Sequence, residues 1–294
     1  MKCLPLRSKP TPRGRFSVAI PASVVSDTPH LREKTAKLGA IARASSIFGV
    51  AEIFLYPDDT RHDQRADIEF CSKILQYVET PQYLRKRAFK LNPAFKFTGI
   101  LPPLQAPHHN VPRTMASVKV GDIREGLVFA RKGPEAIVDV GLEKPVSVVG
   151  DTAVGERVTL HLVSVGKDTR GEIVEPSGAG TYWGYKVKRS SSLGKLLQEA
   201  KFGLRVGTSR YGSPIMDIWP SLTAQLKTVE SVLIAFGSPK LGLQEILRME
   251  RFDAQEVFDH FVNMVPDQQT LTVRTEEAVF ISLGILNLAK LERA

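Results

Sequence analysis

The chain has 294 residues, 43% of them hydrophobic and 24% charged, a balance that belongs to folded globular proteins and excludes wholesale disorder. Its 40 Lys and Arg against 31 Asp and Glu leave a formal charge of +9, which favours a polyanionic partner, RNA or DNA first, through phosphate contacts. The two cysteines, Cys3 and Cys71, have no CxxC spacing and argue against a disulfide framework or a cysteine-based zinc site, and no apolar run nears the ~18 residues of a membrane span.

The opening MKCLPLRSKPTPRGRF is basic without the apolar stretch of a secretory signal, so a cytoplasmic location and no membrane partner are expected. RFSVAIPAS (Arg15 to Ser23) reads as a first strand, and Leu31, Leu38, Ile41 and Phe48 follow at helical spacing up to Gly49. AEIFLYP (Ala51 to Pro57) is nearly continuous in apolar character, as in a strand covered on both faces of a parallel sheet. DIEFCSKILQYVETPQYLRKRAF then returns to helical period, and the βαβα order points to an α/β domain with helices packed over a mostly parallel sheet.

Basic residues gather in two places. Lys2, Arg7, Lys9, Arg13 and Arg15 open the chain without an acid, while YLRKRAFKLNPAFKF interleaves Arg85, Lys86, Arg87, Lys90 and Lys96 with aromatics. The second pattern suits phosphate contact plus base stacking, and equally an amphipathic helix end with aromatics in the core. Arg13, Arg15, Arg85, Lys86, Arg87 and Lys90 are the candidate RNA contacts.

From Arg113 to Pro176 the pattern changes to ASVKV, GLVFA, EAIVDVG, PVSVVG, RVTLHLVSVG and GEIVEP, separated by Gly, Pro and charged turns. Five or so short strands suit a small OB-like barrel, and about 64 residues are too few for an immunoglobulin-like sandwich. PPLQAPHHNVP and EPSGAG flank this stretch with turn formers, so 113–176 reads as an insertion into one discontinuous domain, 1–112 with 177–294. Beyond it, SLGKLLQEAK is helical, LRVGTS a strand, WPSLTAQLK helical and SVLIAFG a strand.

FGSPKLGL (Phe236 to Leu243) follows that last strand directly, where Gly237 and Gly242 permit tight turns or close approach to a ligand. It lacks the Lys and Ser/Thr of a P-loop, and GAGTYWG (Gly178 to Gly184) does not open a βαβ unit, which disfavours NTPase and dinucleotide sites. The six histidines hold no i, i+4 pair, so no metal is expected, and His108 with His109 reads as an exposed linker or an RNA contact. No GxSxG accompanies the serines, leaving hydrolase chemistry without an anchor. VRTEEAVFISLGILN opens with a Thr275 cap and two acids at the positive end of a helix dipole. Val279, Phe280, Ile281, Leu283, Ile285, Leu286 and Leu288 then cover nearly every side, as in a helix buried all round.

TSRYG (Thr208 to Gly212), LIAFGSPKLGL (Leu233 to Leu243) and MVPDQQTLTVRTEEAVFISLGILN (Met264 to Asn287) resemble the three cofactor loops of SPOUT-class, trefoil-knotted RNA methyltransferases. IARASSIFGVAEIFLY, YVETPQYLRKRAF, LPPLQAPHH and WGYKVKR are similar to the archaeal and eukaryotic subfamily with an inserted OB-like domain, so the resemblance spans essentially the whole chain. The family has a glycine near Gln269, where this chain reads DQQT, and a positive φ there would strain a glutamine.

The resemblance implies an S-adenosylmethionine-dependent RNA methyltransferase, a homodimer without metal, acting on ribosomal RNA; a catalytically silent RNA-binding assembly factor is the alternative. It also implies a final helix enclosed by a knot. Thr208, Ser209, Phe236, Gly237, Ser238, Gly242, Leu243, Val265, Pro266, Thr272, Val273, Thr275 and Ala278 are the cofactor residues it implies. Arg43 and, second, Arg210 are the candidates for orienting RNA at the reacting centre, and Arg274 with Glu276 is a candidate structural pair. A methyl group already activated on sulfonium needs little acid–base machinery, which agrees with a sequence lacking a catalytic cluster.

Overall fold

A computed structural model describes residues 14–291; the candidate RNA contact Arg13, like Cys3, lies outside them. In chain order the elements begin with β1 (Arg15–Pro21), α1 (Leu31–Ile47), β2 (Glu52–Tyr56), α2 (Arg65–Glu79) and α3 (Gln82–Ala88). Five strands follow: β3 (Ile123–Lys132), β4 (Glu135–Asp139), β5 (Val146–Val149), β6 (Arg157–Ser164) and β7 (Arg170–Val174). The chain continues through β8 (Lys186–Arg189), α4 (Leu193–Glu199), β9 (Leu204–Pro214), α5 (Ile215–Thr228) and β10 (Ser231–Ala235). It ends with α6 (Leu243–Met249), α7 (Ala254–Val257), β11 (His260–Asn263) and α8 (Thr275–Leu291).

Two compact units divide these elements: an α/β unit of residues 14–78, 93–103 and 185–291, and a β unit of 79–92 and 104–184. The β unit is therefore wider than its strands, taking in α3 and the Pro-rich stretch ahead of β3. The helical run expected from Asp67 to Phe89 breaks at Pro81, which has no N–H to donate and biases Thr80 away from helical backbone. ASVKV, expected as a strand, is a single tight turn at Met115–Ser117, where the Ser117 hydroxyl donates to the Thr114 carbonyl.

The α/β unit is built on six strands in the order β11-β9-β10-β1-β2-β8, every pair parallel. Central strands buried on both faces must be apolar throughout: Ala19, Phe54, Tyr56, Leu233 and Ala235 join Leu243, Ile246, Leu247 and Phe258 in one core cluster. In the β unit, β3 pairs with β4 and β6, β4 with β5, β5 with β7, and β7 with β6, so the five strands close on themselves. Val128, Ala136, Val138, Val146, Val148, Leu160 and Leu162 fill its interior.

Three local expectations need correction. The last helix is not buried all round: Val279, Leu283 and Leu286 are buried against the fold, while Phe280, Ile281, Leu288 and Leu291 are exposed, Leu288 by 65%. An apolar helix in a single copy of the chain is thus left with one uncovered face. Glu276 faces the buried Lys37 ammonium at 3.5 Å rather than Arg274. His108 is fully buried, and it and His109 donate from Nε2 to the Glu79 carbonyl at 3.1 and 2.6 Å, so the pair is structural rather than an exposed linker. Burial, with His108 alongside, pushes His109 down to about 4.

Glu79 is also the centre of a buried ion-pair network in the β unit. Arg157 spans it and Glu125, donating to a carboxylate oxygen of each, and Glu125 further accepts from Trp183 Nε1 at 2.6 Å and from the Thr159 hydroxyl. Desolvation alone would raise Glu79, but the adjoining Arg157 guanidinium and His108 outweigh it and hold the carboxyl down at about 2. A carboxylate depressed in the folded state contributes stability that is complete above its unfolded value near 4.5 and is lost as pH falls toward 2. Glu79→Gln should therefore destabilise the protein by about 2 kcal/mol at neutral pH, because it removes one of the two carboxylates that Arg157 bonds and leaves it with Glu125. It should also flatten the decline of melting temperature with acidification, and parallel wild-type and variant melting curves across that pH range would refute the assignment.

Candidate active site

In an open parallel sheet the carboxyl ends of the strands converge on a crevice, and here three neighbouring strands, β10, β9 and β11, end together. The wall from β9 has an unusual origin. β11 pairs with β9 at Val206 and Gly207, then resumes only at Ser213 and Pro214, so Thr208–Gly212 leave the pairing and bow outward. Gly212 makes this possible: a Cβ there would lie 2.6 Å from the backbone of Val262. The Thr208 hydroxyl donates to the Ala235 carbonyl at 2.9 Å, fixing the excursion to β10, and the Asn263 amide donates to the Arg210 carbonyl at 3.1 Å, fixing it to β11.

The second wall, 236–242, is a tight loop closed on itself. Ser238 N–H donates to the Leu241 carbonyl at 2.8 Å, the Ser238 hydroxyl oxygen accepts from Leu241 N–H at 2.9 Å, and Glu245 reaches back to cap Gly242 N–H. Backbone is bare here: a Cβ on Gly237 would come within 3.1 Å of the Leu241 carbonyl. The third wall, 264–274, is held by Asn263 Oδ1 accepting from Val265 N–H at 3.0 Å and by Gln268 donating to the Thr270 carbonyl at 2.9 Å. Its left-handed residue is Asp267, at φ 57°, and not Gln269, so the expected strain on the glutamine does not arise. Thr275 is the first residue of α8 and does not cap it. Its hydroxyl donates to the Gly237 carbonyl at 3.3 Å, joining the second and third walls, while Glu277 accepts from Arg274 N–H at 2.8 Å.

Between the walls lies a cleft of about 590 Å³, within the size range of sites for small organic ligands. Of the cofactor candidates, Thr208, Ser209, Gly237, Ser238, Gly242, Val265, Thr272, Val273 and Thr275 line it, and Arg210 does too. Phe236 and Leu243 are buried beneath it in the core, while Pro266 and Ala278 lie off its lining. Sequence reasoning missed Tyr211, Asn263 and Gln268, which line it as well. Tyr211 was readable as the aromatic of TSRYG, but Asn263 gave no signal because β11 was not read as a strand. Arg43, half-buried on α1, donates to the Pro103 carbonyl at 3.3 Å and is not part of the lining.

The basic candidates separate. Arg15 is exposed on β1 of the α/β unit. In the β unit Arg85 donates to the Thr80 carbonyl at 2.9 Å, and Arg87 pairs with Asp139 at 2.7 Å while lying 4.5 Å over the Phe129 ring; Lys86 and Lys90 are exposed. Cys71 is buried, and desolvation pushes its thiol up to about 12, which leaves it inert.

A parallel α/β sheet with a ligand-sized cleft at its carboxyl edge, bounded by bare glycine backbone and by hydroxyls rather than by paired acids, defines a binding-and-positioning enzyme. The chain belongs to the family described as "Putative RNA methyltransferase", which matches residues 15–286. It is 33% identical over 307 residues to the human 28S rRNA (uridine-N(3))-methyltransferase, covering 93% of this chain and 79% of that protein. An uncharacterized protein of Halobacterium salinarum is 33% identical over 291 residues, covering 93% and 99% of the two chains. Among solved structures, a Legionella pneumophila "putative methyltransferase" in complex with bound SAM matches over 94% of this chain and 66% of its own, at 10% identity and a TM-score of 0.41.

Proposed function

We propose that this methyltransferase transfers the methyl group of S-adenosylmethionine to ribosomal RNA, at N3 of a uridine. The observation that carries the reading is the three-walled cleft, in a chain whose family and human relative are RNA methyltransferases. The residues fit the cofactor: hydroxyls of Thr208 and Ser209, bare backbone at Gly237 and Gly242, and Val265 and Val273 offer a purine and ribose hydrogen-bonding groups alongside apolar contact. When bound, S-adenosylmethionine supplies a methyl group activated on sulfonium, so the chain's task is to hold donor and acceptor in line. Calorimetry tests this directly. Gly237→Val, which places a side chain against the Leu241 carbonyl, should weaken S-adenosylmethionine binding at least tenfold, or about 1.4 kcal/mol; unchanged affinity in a folded variant overturns the site.

The same reading includes a trefoil knot. Its support is the route of the chain: β11 lies at one edge of the sheet, yet α8 packs on α1 and α5 and its first hydroxyl bonds to Gly237, so 264–275 runs back across the loop walls. Stretching single molecules by residues near their two ends should give a contour length short of the full chain by the residues caught in a tightened knot; full extension refutes it. The exposed apolar face of α8, continued by Ile47 at the end of α1, supports a homodimer, since a second copy would remove it from water. Leu288→Glu should shift the protein to monomer in sedimentation, and a dimer that survives it places the interface elsewhere. The β unit, read as OB-like, follows the cyclic order β3-β4-β5-β7-β6 with β5 and β7 parallel, and exposed Lys86 and Lys90 suit it to an RNA backbone.

A further inference from the structure

Beside the three-walled cleft lies a second cavity, a shallow depression of about 450 Å³ open to solvent, which shares Arg210, Tyr211, Asn263, Val265, Gln268 and Leu271 with it and adds Asp267 and Thr270. Two cavities that share a wall can hold a donor and an acceptor in contact. The second has the ingredients of a base site. Tyr211 is 75% exposed; the Arg210 guanidinium lies 4.7 Å over one face of its ring, held there by donation to the Leu271 carbonyl at 3.3 Å, and the opposite face offers a stacking surface.

Uracil N3 carries a proton and is a poor nucleophile until that proton leaves. Three carboxylates line the two cavities. Asp27 is bound by the Lys37 ammonium through both oxygens, at 2.6 and 2.7 Å, and Glu245 is occupied by Gly242 N–H, so neither is available. Asp267 is exposed, and among the described residues no donor reaches its carboxylate. Its backbone is held at φ 57°, a conformation uncommon outside glycine and one that turns the loop at the cavity.

We infer that the second cavity receives the target uracil, stacked on the face of Tyr211 that Arg210 leaves open, and that Asp267 is the general base that takes its N3 proton. The inference rests on the uridine-N3 reading above. Atoms and electrons balance without a further reactant: the N3–H pair becomes the new N3–CH3 bond, the S–CH3 pair stays on sulfur, and the proton ends on the Asp267 carboxylate.

The test uses full-length protein and ribosomal RNA from cells lacking it, with the modified position mapped by mass. Asp267→Asn should leave S-adenosylmethionine and RNA binding unchanged and lower the single-turnover rate by on the order of 10²–10⁴-fold at neutral pH. The deficit should shrink as pH rises, because alkaline solution removes the N3 proton without help, whereas the wild-type rate is level through the neutral range. An RNA oligonucleotide with 5-iodouridine at the mapped position should photocrosslink to Tyr211, and Tyr211→Ala should abolish the crosslink and raise KM roughly tenfold or more. A deficit that is constant with pH, loss of cofactor binding in Asp267→Asn, or a crosslink elsewhere overturns the inference. Wild-type protein that makes no 3-methyluridine overturns the underlying reading instead.

Discussion

The cleft depends on one interruption in hydrogen bonding: β9 pairs with β10 along its first half without a break, but lets go of β11 for five residues, from Thr208 to Gly212. Backbone amides released from a ladder must find other partners, and the partners here are what shape the site. Thr208 turns its hydroxyl to Ala235, Arg210 gives its carbonyl to Asn263, and the Asn263 oxygen in turn holds Val265. A single excursion therefore joins the ends of three strands. Glycine at 212 is required because the strand returns directly against the Val262 backbone, and Gly207, at the point of departure, packs where a side chain would strike Phe258 and Phe261.

The rest of the α/β unit can be understood as support for that crevice. The carbonyl of Phe236 accepts the Tyr56 hydroxyl at 2.5 Å, so the root of the second wall is anchored to the buried core of β2. The buried Lys37 on α1 faces both Asp27, at the cleft, and Glu276, in the first turn of α8. A buried ammonium needs more than one acceptor to offset its desolvation, and here the acceptors come from two segments that would otherwise be independent. Positioning of this kind suits methyl transfer, in which orientation of the reactants supplies much of what a more elaborate constellation supplies elsewhere.

Much of the framework was legible in the sequence, for reasons specific to each segment. The runs at β2 and β10 are continuous because both faces are covered, and the wall 236–242 announced itself through two glycines directly after a buried strand. Long-range partners were not legible. His108 and His109 sit among prolines and read as surface, yet the Glu79 carbonyl 29 and 30 residues away binds both rings. α8 read as enclosed because hydrophobicity does not say whether a side chain is covered by its own chain or by another. Arg85 and Arg87 looked free for RNA, whereas a backbone carbonyl and Asp139 hold them, leaving Lys86 and Lys90 between and beyond them in solvent.

The third wall makes a tight turn without a glycine. A loop that turns sharply needs a residue of positive φ, and where glycine is missing the next choice is a short polar side chain, which loses least in the left-handed region. The chain places that burden on Asp267, two residues ahead of Gln269, and the Gln269 amide donates to the Asp267 carbonyl at 2.8 Å, closing the turn behind it. Gln268 ties the same turn forward, to the carbonyls of Thr270 and Leu271. The consecutive glutamines thus serve as side-chain braces for a backbone turn that a glycine would have made without them. The shape of the loop is set by these side-chain hydrogen bonds as well as by backbone torsion, and it presents Asp267 to the second cavity.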